Sequence, residues 1–262
     1  MNTLGLLMRK ELLYQWRTHR LLIFLLLGIS VSLLAYSLEF GARSLFTLIK
    51  ESTPAGVDLS VLADLFSRPP TLVGLSQRYL ENIFLLSVGV VLIGGGGFAQ
   101  EIQSGELTPL WSRPLPRFQI VLTRWAAATF SAFVGLFCSA ILYLLFTSLH
   151  FETPKLLPFL QVLMCLGSSL AVYTAIVVLA STLSRGTAMT IGIAGGGLLA
   201  TQAFAFLPFL SRLSPHHPAA LASTLAFGLE ASLSPAWVYS VAALWMVGCL
   251  LLATWVLTKR EV

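Results

Sequence analysis

The residues best placed to do chemistry lie in one charged stretch, residues 100–124, between two strongly apolar segments. This stretch contains two carboxylates, Glu101 and Glu106, and then three guanidinium groups, Arg113, Arg117 and Arg124. We interpret it as a structured segment that receives force from a partner, while the rest of the chain forms a membrane-embedded pathway that the segment moves.

The chain lacks the residue patterns that catalysis requires. A catalytic centre needs a nucleophile with a base, convergent carboxylates or metal ligands, and a proton-driven carrier usually places acids or histidines within its helices. The apolar segments hold almost no ionisable residues, and the sequence has no phosphate loop, His-Glu-x-x-His motif or Gly-x-Ser-x-Gly motif. We therefore predict no catalytic, metal-binding or cofactor-binding residue, and an energy source on another chain.

The composition is that of an integral membrane protein. Of 262 residues, 56% are hydrophobic and 10% charged, whereas soluble domains average about 25% charged residues. The net charge of +5 does not indicate nucleic-acid binding, because the basic residues flank apolar runs as they do at cytoplasmic helix ends. The three cysteines lie inside apolar runs and are interpreted as small buried hydrophobes.

Six apolar segments are long enough to cross a bilayer, whose hydrocarbon core needs roughly 20 helical residues. We predict an all-α fold in a single transmembrane domain, residues 1–262, with outer loops at 41–79 and 211–233. Its six spans are placed at about 21–40, 80–100, 121–149, 156–184, 186–210 and 234–258. Within the first outer loop we expect short amphipathic helices, and residues 219–229 of the second could dip into the membrane.

The distribution of Lys and Arg predicts the orientation. With the N-terminus inside, ten basic residues fall on the inner side and six on the outer side, four of those six in one long loop. Both termini and the stretch 100–124 are therefore predicted to be cytoplasmic.

Residues 1–20 are predicted to form an interfacial helix. Apolar residues, including Trp16, spread over one broad side, and Arg9, Lys10, Arg17 and Arg20 fall on the other, toward anionic headgroups. Glu11 and Gln15 blur this division, and a flexible basic tail is the alternative.

Two glycine runs and one histidine pair can each be interpreted in two ways. The glycine runs mark either tight helix packing or candidate hinges: Gly94, Gly95, Gly96, Gly97 and Gly195, Gly196, Gly197. His216 and His217 are interpreted as part of a solvated turn, with a metal site as the alternative.

The stretch from Glu101 to Arg117 resembles the permease subunits of the ABC-2 transporter family. The resemblance is carried by a glutamate at the end of the second span, a Ser-Gly-Glu-Leu sequence, a proline, and an arginine before the third span. In this chain these residues are Glu101, Ser104, Gly105, Glu106, Leu107, Leu110, Ser112, Pro114 and Arg117. The Arg9-Lys10-Glu11-Leu12 sequence and the six-span layout extend the resemblance, whereas Pro109 departs from the family pattern.

This resemblance implies a subunit that pairs with a second copy of itself or a close homologue and binds a separate ATPase, which carries ATP and Mg²⁺. Residues 1–20 would form an elbow helix, with Arg9, Lys10, Glu11 and Trp16, and residues 101–117 a coupling segment that docks the ATPase. Ser104 could cap the short coupling helix, and Glu106 would suit its first turn. Leu107, Leu110 and Trp111 would share one face, and Pro114 would end the helix.

The implied function is an ATP-driven exporter of an apolar or amphipathic substrate in a bacterial or archaeal cytoplasmic membrane. An outer accessory protein is a further candidate partner. The alternative is a membrane anchor or mechanotransmission subunit that couples an ATPase to an outer partner without conducting substrate.

Overall fold

The computed structural model describes residues 3–52, 69–104, 116–151, 155–207, 211–229 and 233–259. Within these ranges the chain forms α-helices joined by turns, with no β-strand, which confirms the all-α prediction for this part of the protein. The helices are α1 (Thr3–Arg17), α2 (Arg20–Ser52), α3 (Leu72–Asn82), α4 (Phe84–Ser104), α5 (Arg117–His150), α6 (Leu156–Leu183), α7 (Thr187–Phe206), α8 (His217–Ala226) and α9 (Pro235–Lys259), with a 3₁₀ turn at Ser211–Leu213.

Five helical stretches are long and apolar enough to cross a membrane: Arg20–Gly41, Leu72–Glu101, Arg117–His150, Leu156–Leu183 and Pro235–Lys259. Their outer surfaces expose large apolar side chains such as Ile141, Met164 and Leu244, as a lipid-facing surface requires. The chain is thus a multi-pass membrane protein. The span predicted at 186–210 corresponds to α7, which is not among these five stretches.

Helix α6 lies at the centre of the bundle. It packs against α4, α5, α7, α8 and α9, and 72% of its most apolar window is buried, compared with 28% for α2. Helix α8, in the segment predicted as the second outer loop, also packs on α6 and buries Leu221 and Ala222.

The segment predicted as the first outer loop, residues 41–79, is helical at both ends. Helix α2 continues to Ser52, and α3 begins at Leu72, whereas residues 53–68 lie outside the described ranges. The Glu39 carboxylate accepts the backbone N–H of Thr71 at 2.9 Å, and the Thr71 hydroxyl accepts the N–H of Gly74 at 2.9 Å. These bonds satisfy first-turn donors of α3 and tie its start to α2.

Helices α2 and α5 approach so closely that their backbones touch. A Cβ atom on Gly28 would overlap the carbonyl oxygen of Gly135, and a Cβ on Gly135 would lie 2.6 Å from the carbonyl oxygen of Phe24. The Ser32 hydroxyl donates to the Ser139 carbonyl at 2.6 Å across the same contact. Small residues and hydroxyl bonds of this kind are typical of membrane helix interfaces.

Candidate functional site

A buried cluster of charged side chains joins three helices at one end of the bundle. Arg124, about two turns into α5, is 6% exposed. Its guanidinium donates to the carboxylate of Glu101, near the end of α4, and another of its nitrogens lies 3.1 Å from the Glu11 carboxylate on α1. Both carboxylates are also buried. One arginine therefore binds the first helix and the fourth helix to the start of the fifth.

The ring of Tyr14 contacts two arginines and so joins Arg20 to this cluster. The Arg124 guanidinium carbon lies 5.5 Å from the centre of the Tyr14 ring, and that of Arg20, at the start of α2, lies 5.1 Å from it. Such contacts contribute about 0.5–2 kcal/mol, more when desolvated. The two arginines balance the charges of Glu11 and Glu101, so the cluster is neutral as a whole. This neutrality makes its burial tolerable.

The buried face of α1 differs from the predicted one. Leu7, Glu11 and Gln15 recur every four residues and are all buried against the bundle, whereas Leu6, Leu13 and Trp16 are exposed. The polar residues that blur the amphipathic pattern are the ones that pack inward, and for Glu11 the reason is that Arg124 supplies a charged partner. Arg9 and Lys10 are exposed on the other faces of the helix.

Arg117, at the start of α5, makes a separate link. Its guanidinium donates to the carbonyl oxygen of Leu257, in the last turn of α9. Just inside this bond, a small apolar cluster that includes Val121, Cys249 and Ala253 joins α5 to α9. The charged end of α5 thus contacts α1, α4 and α9.

The described ranges contain only part of the predicted coupling segment. Glu101 and Arg117 take part in the links above, and the Ser104 hydroxyl lies 3.4 Å from the Glu101 carbonyl oxygen at the end of α4. The other predicted docking residues lie outside the described residues: Gly105, Glu106, Leu107, Leu110, Trp111 and Pro114.

Arg124 is central to this cluster but was not among the predicted site residues. A clear signal was present, since Arg124 stands at the edge of an uncharged segment with glutamates available on two neighbouring segments. A buried charge in or near a membrane span is costly and needs a partner.

The two glycine runs lie within continuous helices, α4 and α7. A Cβ atom on Gly94 would lie 3.2 Å from Val177, and one on Gly197 would lie 2.9 Å from Ile176, both on α6. A Cβ atom on Gly195 or Gly196 would have nothing within 4 Å. Close packing against α6 accounts for Gly94 and Gly197, and the hinge hypothesis stays a prediction.

The histidine pair is half-buried rather than a solvated turn. His216 Nδ1 lies 3.2 Å from the Tyr173 hydroxyl on α6 and 3.1 Å from the side-chain nitrogen of Gln202 on α7. Among the described residues, no group of three or more His, Cys, Asp or Glu could hold a metal ion. His216 therefore joins α6, α7 and the start of α8 through hydrogen bonds.

Burial, and then the neighbouring His217, lower the pKa of His216 from its ordinary value of 6.5. The folded protein thus favours the neutral imidazole, and the unfolded chain binds more protons. The contribution of a neutral, buried His216 to the free energy of unfolding should be fully present above pH 6.5 and be lost as the pH falls below that value.

His216→Gln should weaken this loss of stability at low pH in thermal denaturation measured between pH 5 and 8. His150→Gln, which removes an exposed imidazole, should retain the loss, and an unchanged pH profile in His216→Gln would contradict the assignment.

No protein-family model matches the chain, and no curated protein matches it significantly.

Proposed function

We propose that this chain is the membrane-spanning permease subunit of an ATP-driven exporter of the ABC-2 kind. Its ATPase would be a separate chain that carries ATP and Mg²⁺. The proposal draws on the resemblance at Glu101–Arg117 and on the absence of any catalytic pattern in the sequence.

The observation that carries the proposal is the Arg124 cluster. It binds α1, the end of α4 and the start of α5 at the end of the bundle where the Lys and Arg count predicts the cytoplasm. The part of the coupling segment beyond α4 would start after Ser104, one turn past Glu101, and return to α5 at Arg117. A partner that displaced this segment would therefore act on two spans and on α1 together.

Burial makes this link stiff. Separating a buried charge from its partner costs about 3–5 kcal/mol, so a force on α1 or on the coupling segment would move the three helices as a unit. A solvent-exposed pair, at about 0–1 kcal/mol, would give way instead. Mechanical coupling between helices therefore favours a buried ion pair over a solvent-exposed one.

The finer architecture belongs to the same proposal. Helix α7 has 20 residues, about 30 Å at 1.5 Å per residue, which suits a sixth span. Helix α1 would be the elbow helix in the membrane interface, with Arg9 and Lys10 toward anionic headgroups. Both termini would be cytoplasmic, in a bacterial or archaeal cytoplasmic membrane, and a second copy or a close homologue would complete the pathway for an apolar or amphipathic substrate.

The experiment is reconstitution with the nucleotide-binding subunit expected to co-purify with this chain. The isolated chain should hydrolyse no ATP. Charge reversal at Glu106 or Trp111→Asp should lower ATPase binding, whereas Arg185→Glu, at an exposed position between α6 and α7, should leave it unchanged.

Two results would contradict the proposal. One is robust ATP hydrolysis by the isolated chain, and the other is full docking and transport in the Glu106 and Trp111 variants. ATPase docking without movement of any substrate would instead favour the mechanotransmission subunit.

A further inference from the structure

A cavity of about 390 Å³ opens at the end of the bundle opposite Arg124, between α3, α5, α6 and the end of α8. Tyr143, which lines it, is 19 residues beyond Arg124 on α5, about 28 Å at 1.5 Å per residue. Its size falls in the usual range for small-molecule sites, about 300–1,000 Å³. The cavity is therefore separate from the charge cluster and large enough for a ligand.

The walls of the cavity are mostly apolar and contain three aromatic rings that contact one another. The Tyr143 ring lies 4.5 Å from the Tyr79 ring and 5.8 Å from the Phe159 ring, centre to centre. Val162 and Leu225 contribute further apolar surface. The three aromatic residues are buried and come from three different helices, so this wall is preformed.

The hydroxyl hydrogens in the wall are already used. The Ser76 hydroxyl donates to the Leu72 carbonyl at 2.8 Å, so the Tyr143 hydroxyl, 2.7 Å from Ser76 Oγ, is the donor in that pair. By the same reasoning the Tyr79 hydroxyl donates to Ser139 Oγ at 3.0 Å, because Ser139 donates to a carbonyl of its own helix. These hydroxyls have no hydrogen left for a ligand.

Lys155 is the cationic donor on the lining. It is exposed at the N-cap position of α6, its side chain makes no capping bond, and it has no salt bridge within the described residues. The positive end of the α6 dipole adds to its charge. An apolar chamber with one cation at its rim is complementary to an amphiphile with a negative head.

We propose that this cavity binds a single-chain amphiphile with an anionic head group, the acyl chain lying against Tyr79, Tyr143 and Phe159 and the head group at Lys155. The proposal does not rest on the partnership with an ATPase, because the site lies within one chain.

The test uses the purified full chain in phosphatidylcholine nanodiscs with a palmitic acid that carries a photoreactive diazirine. We expect labelling of peptides from α3, α5, α6 or α8, displaced by unlabelled palmitate. Lys155→Glu should weaken palmitate competition roughly tenfold or more, the size expected for loss of a charge-assisted contact, and Val73→Trp at the rim should block labelling. The matched controls are Arg212→Glu, an exposed cation at the same end, and Met164→Trp, an exposed position on α6 outside the lining.

Several outcomes would overturn the proposal. Labelling absent from the lining peptides would remove the site, as would labelling that Val73→Trp leaves intact. Equal competition by hexadecanol, or no effect of Lys155→Glu, would show that the head group is not recognised. Equal competition by phosphatidylglycerol would show that a two-chain lipid occupies the cavity. Val73 is 62% exposed, so its substitution should not prevent folding.

Discussion

Replacement of Arg124 by methionine is expected to destabilise the protein more than any other single change at its charged end. The variant would leave the carboxylates of Glu11 and Glu101 buried without their guanidinium partner. Breaking a buried charge pair from one side costs about 3–5 kcal/mol. We expect a large fall in the midpoint of thermal denaturation of the detergent-purified chain.

A combined variant separates lost packing from unpaired charge. Arg124→Met together with Glu11→Gln and Glu101→Gln removes the three buried charges of the cluster and keeps the partly exposed Arg20. It should recover much of the lost stability because polar amides are far cheaper to bury than carboxylates. Arg185→Met, which removes an exposed cation, should change stability by less than about 0.5 kcal/mol. An Arg124→Met protein as stable as its parent would show that the cluster does not hold α1 in place.

Gly135→Ala is expected to have the second largest effect. Its added methyl group would meet the backbone of α2 at Phe24, and backbone cannot turn aside as a side chain can. Helices α2 and α5 would have to separate, which would also stretch the bond between Ser32 and Ser139. Overpacking of this kind costs about 1–3 kcal/mol, occasionally more, and thermal denaturation should report it.

Gly192→Ala is the matched control for this prediction, since nothing lies within 4 Å of a Cβ at that position on α7. There, alanine is the better helix former by about 0.8–1 kcal/mol, so the control should be neutral or slightly stabilising. Equal effects of the two substitutions would show that helix propensity, rather than the close contact, decides the outcome at Gly135.

The class of the fold was predictable from the sequence because bilayer thickness imposes a minimum length on apolar segments. The starts of α5, α6 and α9 fall within about four residues of the predicted spans, where Pro116, Lys155 and Pro235 interrupt the apolar pattern. The extension of α2 to Ser52 was not predictable in this way. Nor was the bond in which Glu39 of α2 accepts the backbone N–H of Thr71 at the start of α3, because hydropathy places Glu39 in a span and Thr71 in an outer loop.

The candidate site was predictable only in part, for a related reason. A helical wheel scores each residue of α1 against water or lipid, and by that measure Glu11 belongs outside. Its burial depends on Arg124, which lies 124 − 11 = 113 residues later in the chain. The touching glycines Gly28 and Gly135 likewise stand far apart in sequence and in no run, whereas Gly195 and Gly196, in a conspicuous run, have nothing within 4 Å of an added Cβ.

The pairing of Glu11 with Arg124 also has a consequence for the order in which the protein is assembled. Helix α1 leaves the ribosome before α5, so its buried carboxylate has no guanidinium partner on α5 until 113 more residues have been added. At about 5–20 residues per second, that interval is roughly 6–23 s. During it, the Glu11 carboxylate has no buried cation as a partner and must stay hydrated. Helix α1 can therefore dock through Glu11 only after α5 has been made, and this docking completes the charged end of the bundle.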